Sequence, residues 1–228
     1  MASFNKNEVL QLMAPSYGSY IYEEGKPYGE HYLYIWEGIF QSEEDIANSP
    51  KHPNNPQPGD IKFKDLNNDG VINSEDRTMV EGVYPKMLYS FNLNFGYKDF
   101  DLSLFFQGIE GRKIWTDAFG EDPFAQGASP SKKFLDAWTP ENTDTDVPAL
   151  YAWGYAPMCN TRSTYNLKDA SYLRLKNLQF GYNVPKRYLN KIGIEFLRVY
   201  FSGENLFTLT EYPDYDPERG GDGWHVQY

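Results

Sequence analysis

A stretch of twelve residues, 65–76, has the residue types and the spacing of a calcium-binding loop. Oxygen-bearing side chains stand at positions 1, 3, 5, 9 and 12, and the residue at position 7 would offer its backbone carbonyl. The candidate ligands are Asp65, Asn67, Asp69, Val71, Asn73 and Asp76. Gly70 stands at position 6, where the backbone of an EF-hand-like loop turns sharply. Hard oxygen ligands favour calcium, so the stretch predicts a structural calcium site.

The last position of this stretch predicts weak binding. Asp76 is shorter than the bidentate Glu usual at position 12, and we expect a dissociation constant of roughly 10⁻⁴ to 10⁻³ M. Ile72, at position 8, is expected to point into apolar packing. The alternative is a polar turn, for which the pair Asp69-Gly70 alone would suffice.

Other residues that could do chemistry have simpler explanations. Acidic pairs could act as the acid and base of a glycosidase, but each pair lies in a polar segment where solvated charge explains it: Glu23-Glu24, Glu43-Glu44 and Asp144/Asp146. Three tryptophans could stack on sugar rings or pack within their loop: Trp115, Trp138 and Trp153. Cys159 is the single cysteine, so an intrachain disulfide and a cysteine-cluster zinc site are excluded. We therefore predict no enzyme activity.

Composition narrows the class of protein. The 228 residues include 21 Lys and Arg against 32 Asp and Glu, a net charge of −11 that disfavours nucleic-acid binding. Aromatic residues make up 17% of the chain. The mean hydropathy is −0.65, and no apolar run approaches the roughly 18 residues of a membrane helix. Strands that alternate apolar and polar residues could still cross a membrane as a barrel.

Four segments have the period-two alternation of β-strands. Residues 88–97 alternate without interruption, and residues 100–108 also alternate. The tight turn Lys98-Asp99 joins the two segments, which predicts a hairpin. In residues 172–182 the alternation slips by one position near Asn177, which predicts a β-bulge. The fourth segment is residues 196–207.

Short and long connections alternate between these strands. Residues 98–99 and the helical turn 185–193 are short, whereas 36–86 and 109–170 are long polar stretches with two brief helices, at 42–48 and 131–138. This alternation is typical of an outer-membrane barrel, with short turns in the periplasm. Aromatic residues at strand ends would form the interfacial girdles: Tyr89, Tyr97, Phe100, Tyr172, Tyr182 and Phe207. The alternative is a soluble antiparallel sheet with one face on a core.

Most of the chain resembles one known family. GDIKFKDLNNDGVINSEDRT (59–78), YPKMLYSFNLNFGYKDFDLSLFFQGIEGRKIW (84–115) and DASYLRLKNLQFGYNVPKRYLNKIGIEFLRVYFSGENLFTLTEYPDYDPE (169–218) resemble the C-terminal barrel region of SusC/RagA-type TonB-dependent outer-membrane transporters. YGEHYLYIWEGIFQSEEDI (28–46) and WTPENTDTDVPAL (138–150) resemble the loops of that family, in the same order.

The resemblance implies an all-β fold, the C-terminal portion of a 22-stranded antiparallel transmembrane β-barrel with long extracellular loops. Residues 1–228 would be a partial barrel region without signal peptide, plug or closing strand, although a new run begins near residue 223. The strands at 88–97 and 171–183 would run inward, and those at 100–108 and 194–207 outward.

The implied function is import of glycans or other oligomers across the outer membrane of a Bacteroidota-like bacterium. The implied partners are a SusD-like lipoprotein, the TonB complex through an N-terminal part outside this chain, and an oligosaccharide or peptide substrate. A soluble calcium-dependent carbohydrate-binding β module is the alternative, and a glycan-degrading enzyme is a third.

Overall fold

The computed structural model describes residues 1–11, 20–115, 129–130, 132–150, 162–213 and 216–218. Trp153, Cys159 and the run from residue 223 lie outside these ranges. Strands are the main regular secondary structure of the described residues, as the all-β expectation requires. The strands are β1 (Ala2–Phe4), β2 (Tyr20–Ile21), β3 (Glu30–Tyr34), β4 (Trp36–Ile39), β5 (Ile61–Phe63), β6 (Arg77–Val80), β7 (Met87–Tyr97), β8 (Phe100–Glu110), β9 (Lys113–Trp115), β10 (Leu167–Asp169), β11 (Tyr172–Asn183) and β12 (Arg198–Thr210).

In the residues that the structure describes, helices are few and short. The α-helices are α1 (Glu43–Ala47) and α2 (Lys186–Leu189), and the 3-10 helices are Ser74–Asp76, Lys132–Asp136, Thr164–Asn166 and Asn190–Ile192. Ser42 caps α1 by accepting a hydrogen bond from the Asp45 N–H at 3.1 Å, so the predicted helix and its cap are confirmed. In the described part of the chain, no helix is long and apolar enough to cross a membrane.

The chain divides into two compact units. Unit 1 comprises Met1–Lys6, Pro85–Arg112 and Ala170–Tyr212, and unit 2 comprises Asn7–Tyr84, Lys113–Asp169 and Pro213–Tyr228. Each unit is built from segments that are distant in sequence. The hairpin of β7 and β8 therefore interrupts the chain of unit 2.

Unit 1 is a five-stranded antiparallel sheet in the order β1-β7-β8-β11-β12. The predicted hairpin is confirmed, since Tyr97 pairs with Phe100 across the turn and Lys98 adopts a left-handed φ of 54°. Strands β7, β8, β11 and β12 have 11, 11, 12 and 13 residues. Strands of about 9–11 residues suffice to cross a bilayer when tilted.

The predicted bulge in the third strand is confirmed at Lys176. Leu175 pairs with Phe106 of β8, and Asn177 pairs with Phe105, so Lys176 is one extra residue relative to β8. On the other side of β11 the register also shifts between Leu175 and Asn177, and Asn205 of β12 has a left-handed φ of 52° near that point. The bulge keeps apolar residues on one face of the sheet at both ends of β11.

One strand boundary and one aromatic position differ from the sequence expectation. The fourth strand begins at Arg198 and not at 194 or 196, and the Val184 N–H donates to the Leu197 carbonyl at 2.9 Å directly before it. Tyr172 was expected in a girdle. It is 6% exposed, and the bulge places it on the face opposite Tyr97.

Unit 2 contains short strands and a buried core in the stretches that the sequence analysis placed in loops. Its sheets are β2-β3-β6, β4-β5 and β9-β10. The core cluster consists of Tyr34, Ile61, Phe63, Ile72 and Tyr165. The rings of Tyr34 and Phe63 stack with centroids 5.0 Å apart. Because these strands have two to five residues, no long alternation marks them in the sequence.

Candidate functional site

Residues 65–76, the acidic loop, are held by hydrogen bonds from the loop's own backbone. The Asp65 carboxylate accepts from the N–H groups of Asn68 and Gly70 at 2.7 and 2.8 Å. Gly70 has φ of 82° and no heavy atom within 4 Å of the position that a Cβ would occupy. A glycine is therefore favoured at position 70 because of the backbone conformation, and not because a side chain would lack room.

The middle of the acidic loop repeats this pattern. The Asn67 side-chain oxygen accepts from the Asp69 N–H at 2.9 Å, and Asp69 Oδ1 accepts from the Val71 N–H at 2.8 Å. The Asn67 amide donates to Asp69 Oδ2 at 3.1 Å. These Asx turns bend the chain tightly while leaving further lone pairs on each oxygen.

The end of the acidic loop is closed by Asp76. Its carboxylate accepts from the N–H groups of Leu66 and Asn73 at 2.9 and 2.8 Å, and the side chain is 0% exposed. Asn73 accepts in turn from the Glu75 N–H at 2.8 Å, which completes a capping box. Burial alone would raise the pKa of Asp76, but the backbone donors together hold it below its ordinary value, so the carboxyl is ionised at neutral pH.

Ile72 attaches the acidic loop to the core of unit 2, as predicted. It is 2% exposed and belongs to the core cluster. Its N–H donates to the Lys51 carbonyl at 2.9 Å, and the Lys51 N–H donates to the Gly70 carbonyl at 2.8 Å. The loop is therefore fixed to its unit by one buried side chain and a short parallel bridge.

The donor set of the acidic loop matches calcium in chemistry, since it consists of carboxylate, amide and carbonyl oxygens. In the described ranges, however, no group of three or more His, Cys, Asp or Glu side chains is arranged to hold a metal ion. The carboxylates of Asp65, Asp69 and Asp76 accept from backbone N–H groups instead. A cation would therefore need amide and carbonyl oxygens beside the carboxylates.

One face of the unit 1 sheet carries mostly apolar residues, and the other carries mostly polar residues. The register places these apolar rows on one face: Tyr97, Phe100, Tyr182 and Val199; Phe95, Leu102, Phe180 and Phe201; Phe91, Phe106, Leu175 and Phe207. The opposite face carries Asn94, Ser103, Gln179 and Ser202 in one row, and Ser90, Gln107, Arg174 and Thr208 in another. The apolar face is exposed, with Phe95 at 57% and Phe201 at 62%.

An ion pair crosses the polar face of three strands. No sequence pattern indicates it, because its two residues are far apart in the chain. Arg198 of β12 donates through Nη2 to Asp101 Oδ2 of β8 at 2.6 Å. Between them lies Gly181 of β11, where a Cβ would lie 2.6 Å from Arg198 Nη2 and from Asp101 Oδ1. The missing side chain of Gly181 gives the pair its space.

The other residues considered for chemistry lie in ordinary structural roles. The acidic pairs are exposed: Glu23, Glu24, Glu43, Glu44, Asp144 and Asp146. Trp138 is 8% exposed, and its Nε1 donates to Gln41 Oε1 at 2.8 Å, so it packs within unit 2. Trp115 lies under the Arg162 guanidinium at 4.7 Å from ring centroid to Cζ.

Comparisons with known proteins define the class to which this strand-built chain is related. The chain is 35% identical over 95% of its length to TonB-dependent receptor P3 of Formosa agariphila, of which it covers 22%. It is 28% identical over 98% of its length to TonB-dependent receptor P26 of the same organism, covering 23%, and 23% identical over 95% to TonB-dependent receptor SusC of Bacteroides thetaiotaomicron, covering 21%. No protein-family profile matches the chain.

Comparison with solved structures points to the same class of protein as these relatives. The structure of the RagAB peptide importer in the open-open state superposes with a TM-score of 0.71 and 26% identity, over 96% of this chain and 24% of that chain. The structure of the RagAB peptide transporter superposes with a TM-score of 0.68 and 28% identity, over 89% and 22%. In sequence and in fold the chain is similar to part of the SusC/RagA-type TonB-dependent transporters, in agreement with the resemblance, and it spans about a fifth to a quarter of the length of these relatives.

Proposed function

We propose that the native gene product is a TonB-dependent importer of the outer membrane, and that this chain is the C-terminal portion of its 22-stranded barrel. The observation that carries the proposal is the sorting of residues between the two faces of unit 1. A water-exposed apolar face of this extent is unusual in a soluble protein, whereas lipid would cover it. The polar face would then line the lumen.

The names of the relatives support a proposal about the cargo and the partners. The RagAB structures are named for a peptide importer, and the other relatives are named as receptors. We propose that the whole protein imports an oligomer of sugars or amino acids. It would work with a SusD/RagB-like lipoprotein and couple to TonB through a segment outside this chain. The soluble binding module is not favoured, because the similarity to receptors and importers covers nearly the whole chain.

Adjacent residues on the two faces of β7 provide the test of the barrel. Leu93 lies in the apolar row with Leu104 and Leu178, and Asn94 lies on the polar face. An arginine facing lipid near the bilayer midplane costs about 2–4 kcal/mol, whereas one facing the lumen does not. We expect Leu93→Arg to reduce the folded, heat-modifiable form in outer-membrane fractions and Asn94→Arg to leave it near the wild-type amount.

Two results would contradict the barrel. One is that Leu93→Arg and Asn94→Arg leave equal amounts of the folded, heat-modifiable form. The other is recovery of the native gene product in the soluble fraction without detergent. Disruption of the gene, followed by growth on single glycans and on peptides, would then identify the class of cargo.

For the acidic loop we propose a structural calcium ion held by Asp65, Asn67, Asp69, Val71, Asn73 and Asp76. The support is the set of oxygens in one tightly turned loop, in which Ile72 reaches the core. When bound, the ion would neutralise the loop's carboxylates and stiffen it. The chain's own residues already fold the loop through their Asx turns.

Calcium titration of the purified native protein tests this site. We expect binding with a dissociation constant of roughly 10⁻⁴ to 10⁻³ M, which Asp65→Ala and Asp69→Ala abolish. Glu43→Ala, an exposed carboxylate outside the acidic loop, serves as the control and should leave the titration unchanged. No difference between wild type and loop variants up to millimolar calcium would leave the polar turn as the explanation.

A further inference from the structure

The connection between β11 and β12, residues 184–197, combines cations with exposed apolar side chains. It contains Lys186, Arg187 and Lys191 against one carboxylate, Glu195, in a chain whose net charge is −11. All three cations are exposed, and in the described part of the chain none of them forms an ion pair. The charge is therefore available to an external partner.

The apolar side chains of this connection are exposed beside the cations. Tyr188 is 52% exposed and Phe196 70%, and Ile192, Ile194 and Leu197 are also exposed. Leu189, at 2% exposure, is the buried anchor of the connection. The Arg187 guanidinium lies 4.8 Å from the centroid of the Tyr188 ring. An exposed surface of mixed cations and apolar groups fits a boundary between water and an apolar phase.

The tight turn between β7 and β8 joins this surface. The Asn183 N–H donates to the Asp99 carbonyl at 2.8 Å, so the two short connections of unit 1 lie side by side. Lys98 places its ammonium 5.1 Å from the centroid of the Tyr97 ring, which is 70% exposed. Residues 97–100 and 184–197 together form what we call the short-turn surface.

The short-turn surface lies where the apolar face of unit 1 ends. The last apolar row of the register, Tyr97, Phe100, Tyr182 and Val199, is at this end of the sheet. If lipid covers the apolar face, the cations of the connection are at the depth of the phosphate groups. Lys and Arg near a membrane surface are attracted to anionic headgroups by about 1 kcal/mol each.

We propose that the short-turn surface binds the phosphate groups of anionic phospholipids through Lys186, Arg187 and Lys191. The exposed rings and aliphatic side chains beside them would enter the acyl boundary of the same leaflet. This inference rests on the proposed barrel. It adds a ligand class, phospholipid headgroups, and three residues that select it.

Lipid retention by the native protein tests the inference. The detergent-purified protein is mixed with phosphatidylglycerol or with phosphatidylcholine, and the lipid that it retains is counted by native mass spectrometry. We expect wild type to prefer phosphatidylglycerol, and the triple variant K186Q/R187Q/K191Q to lose about 100-fold of that preference, as three cations imply. The charge-matched control K26Q/K51Q/K64Q, three exposed lysines of unit 2, should keep it.

The outcomes separate this inference from the proposed function. The lipid site is contradicted if wild type and the triple variant prefer phosphatidylglycerol equally. It is also contradicted if the control variant loses as much of this preference as the triple variant. Neither result contradicts the barrel. Heat-modifiability on gels reports whether each variant is folded. If the triple variant is unfolded, the single variants replace it, and a graded loss is then required. A wild-type protein that is absent from the outer-membrane fraction overturns both proposals.

Discussion

At the scale of single residues, Gly181 has a testable role on the polar face. Because a Cβ there would meet both Arg198 and Asp101, we expect Gly181→Ala to displace their ion pair and to lower the temperature at which the folded form is lost on gels. Gly96, in the same row beside Asp101, has nothing within 4 Å of its Cβ position, so Gly96→Ala is the matched control. It should have little effect.

The energetic coupling between Gly181 and Arg198 can also be measured. The losses in free energy of unfolding caused by Gly181→Ala and by Arg198→Gln should not be additive, because both substitutions disrupt the same ion pair. The coupling free energy between them should lie within about 0.5–3 kcal/mol. Strict additivity of the two substitutions would contradict the role assigned to Gly181.

His52 carries a second prediction at this scale. It is 6% exposed, its ring lies 5.1 Å from that of Phe63, and burial lowers its pKa to about 4. Since the unfolded pKa is 6.5, the folded state resists protonation. The free energy of unfolding of unit 2 is therefore at its full value above pH 6.5 and falls as the pH drops towards 4.

Hydrogen exchange checks this prediction. Between pH 7 and pH 5 the histidine should cost about 2 kcal/mol, so peptides from residues 30–84 should lose about 30-fold more protection in wild type than in His52→Phe, after correction for intrinsic rates. His31, whose pKa burial also lowers to about 4, remains in both proteins and so cancels in the comparison. An equal loss of protection in the two proteins would show that His52 does not carry this pH dependence.

At the scale of elements, the two short connections predict the orientation of the strands. We expect the turn at Asp99 to face the periplasm and the segment containing Lys132 to face outward. In a Cys159→Ser background, a membrane-impermeant maleimide should label Lys132→Cys in intact cells and should label Asp99→Cys only after permeabilisation. Labelling of Asp99→Cys without Lys132→Cys would reverse the topology.

The long strands could be predicted from sequence, and the short ones could not. β7 is marked by unbroken alternation, β8 by alternation that only Phe105 interrupts, and the bulge at Lys176 by a change of phase between Leu175 and Leu178. In contrast, β3 is buried on both faces, and its residues EHYLY show no alternation of polarity. Such strands are recognised only once their partners are known.

The candidate sites divide in the same way. The candidate ligands of the acidic loop are close in sequence, so their spacing alone suggests the site, and the burial of Ile72 followed from its position in that spacing. Asp101 and Arg198 are 97 positions apart, and their contact depends on the register of three strands. Burial of His52 likewise depends on Phe40 and Phe63, which the sequence does not place beside it.

At the scale of the whole molecule, the open edges of the sheet predict the behaviour of the chain alone. Strand β1 covers only the start of β7, from Met87 to Tyr89, and in the described residues no strand pairs with the outer edge of β12. Unpaired N–H and C=O groups are not tolerated in lipid and promote association in water. We expect the chain expressed by itself to aggregate or to require detergent. A monomeric, cooperative melt in plain buffer would contradict this.

The small pair of β9 and β10 bears on the order in which the molecule assembles. β8 and β11 are separated by about 60 residues, and closing a flexible loop of that length carries an entropic cost that slows their pairing. Lys113 pairs with Asp169, only three residues after the end of β8 and three before the start of β11. If unit 2 folds first, the pairing of β9 with β10 brings the ends of β8 and β11 together. The entropic cost of pairing β8 with β11 is then close to that of a hairpin with a tight turn. Unit 2 would then serve as a folding template that sets the register of the strands before they enter the membrane.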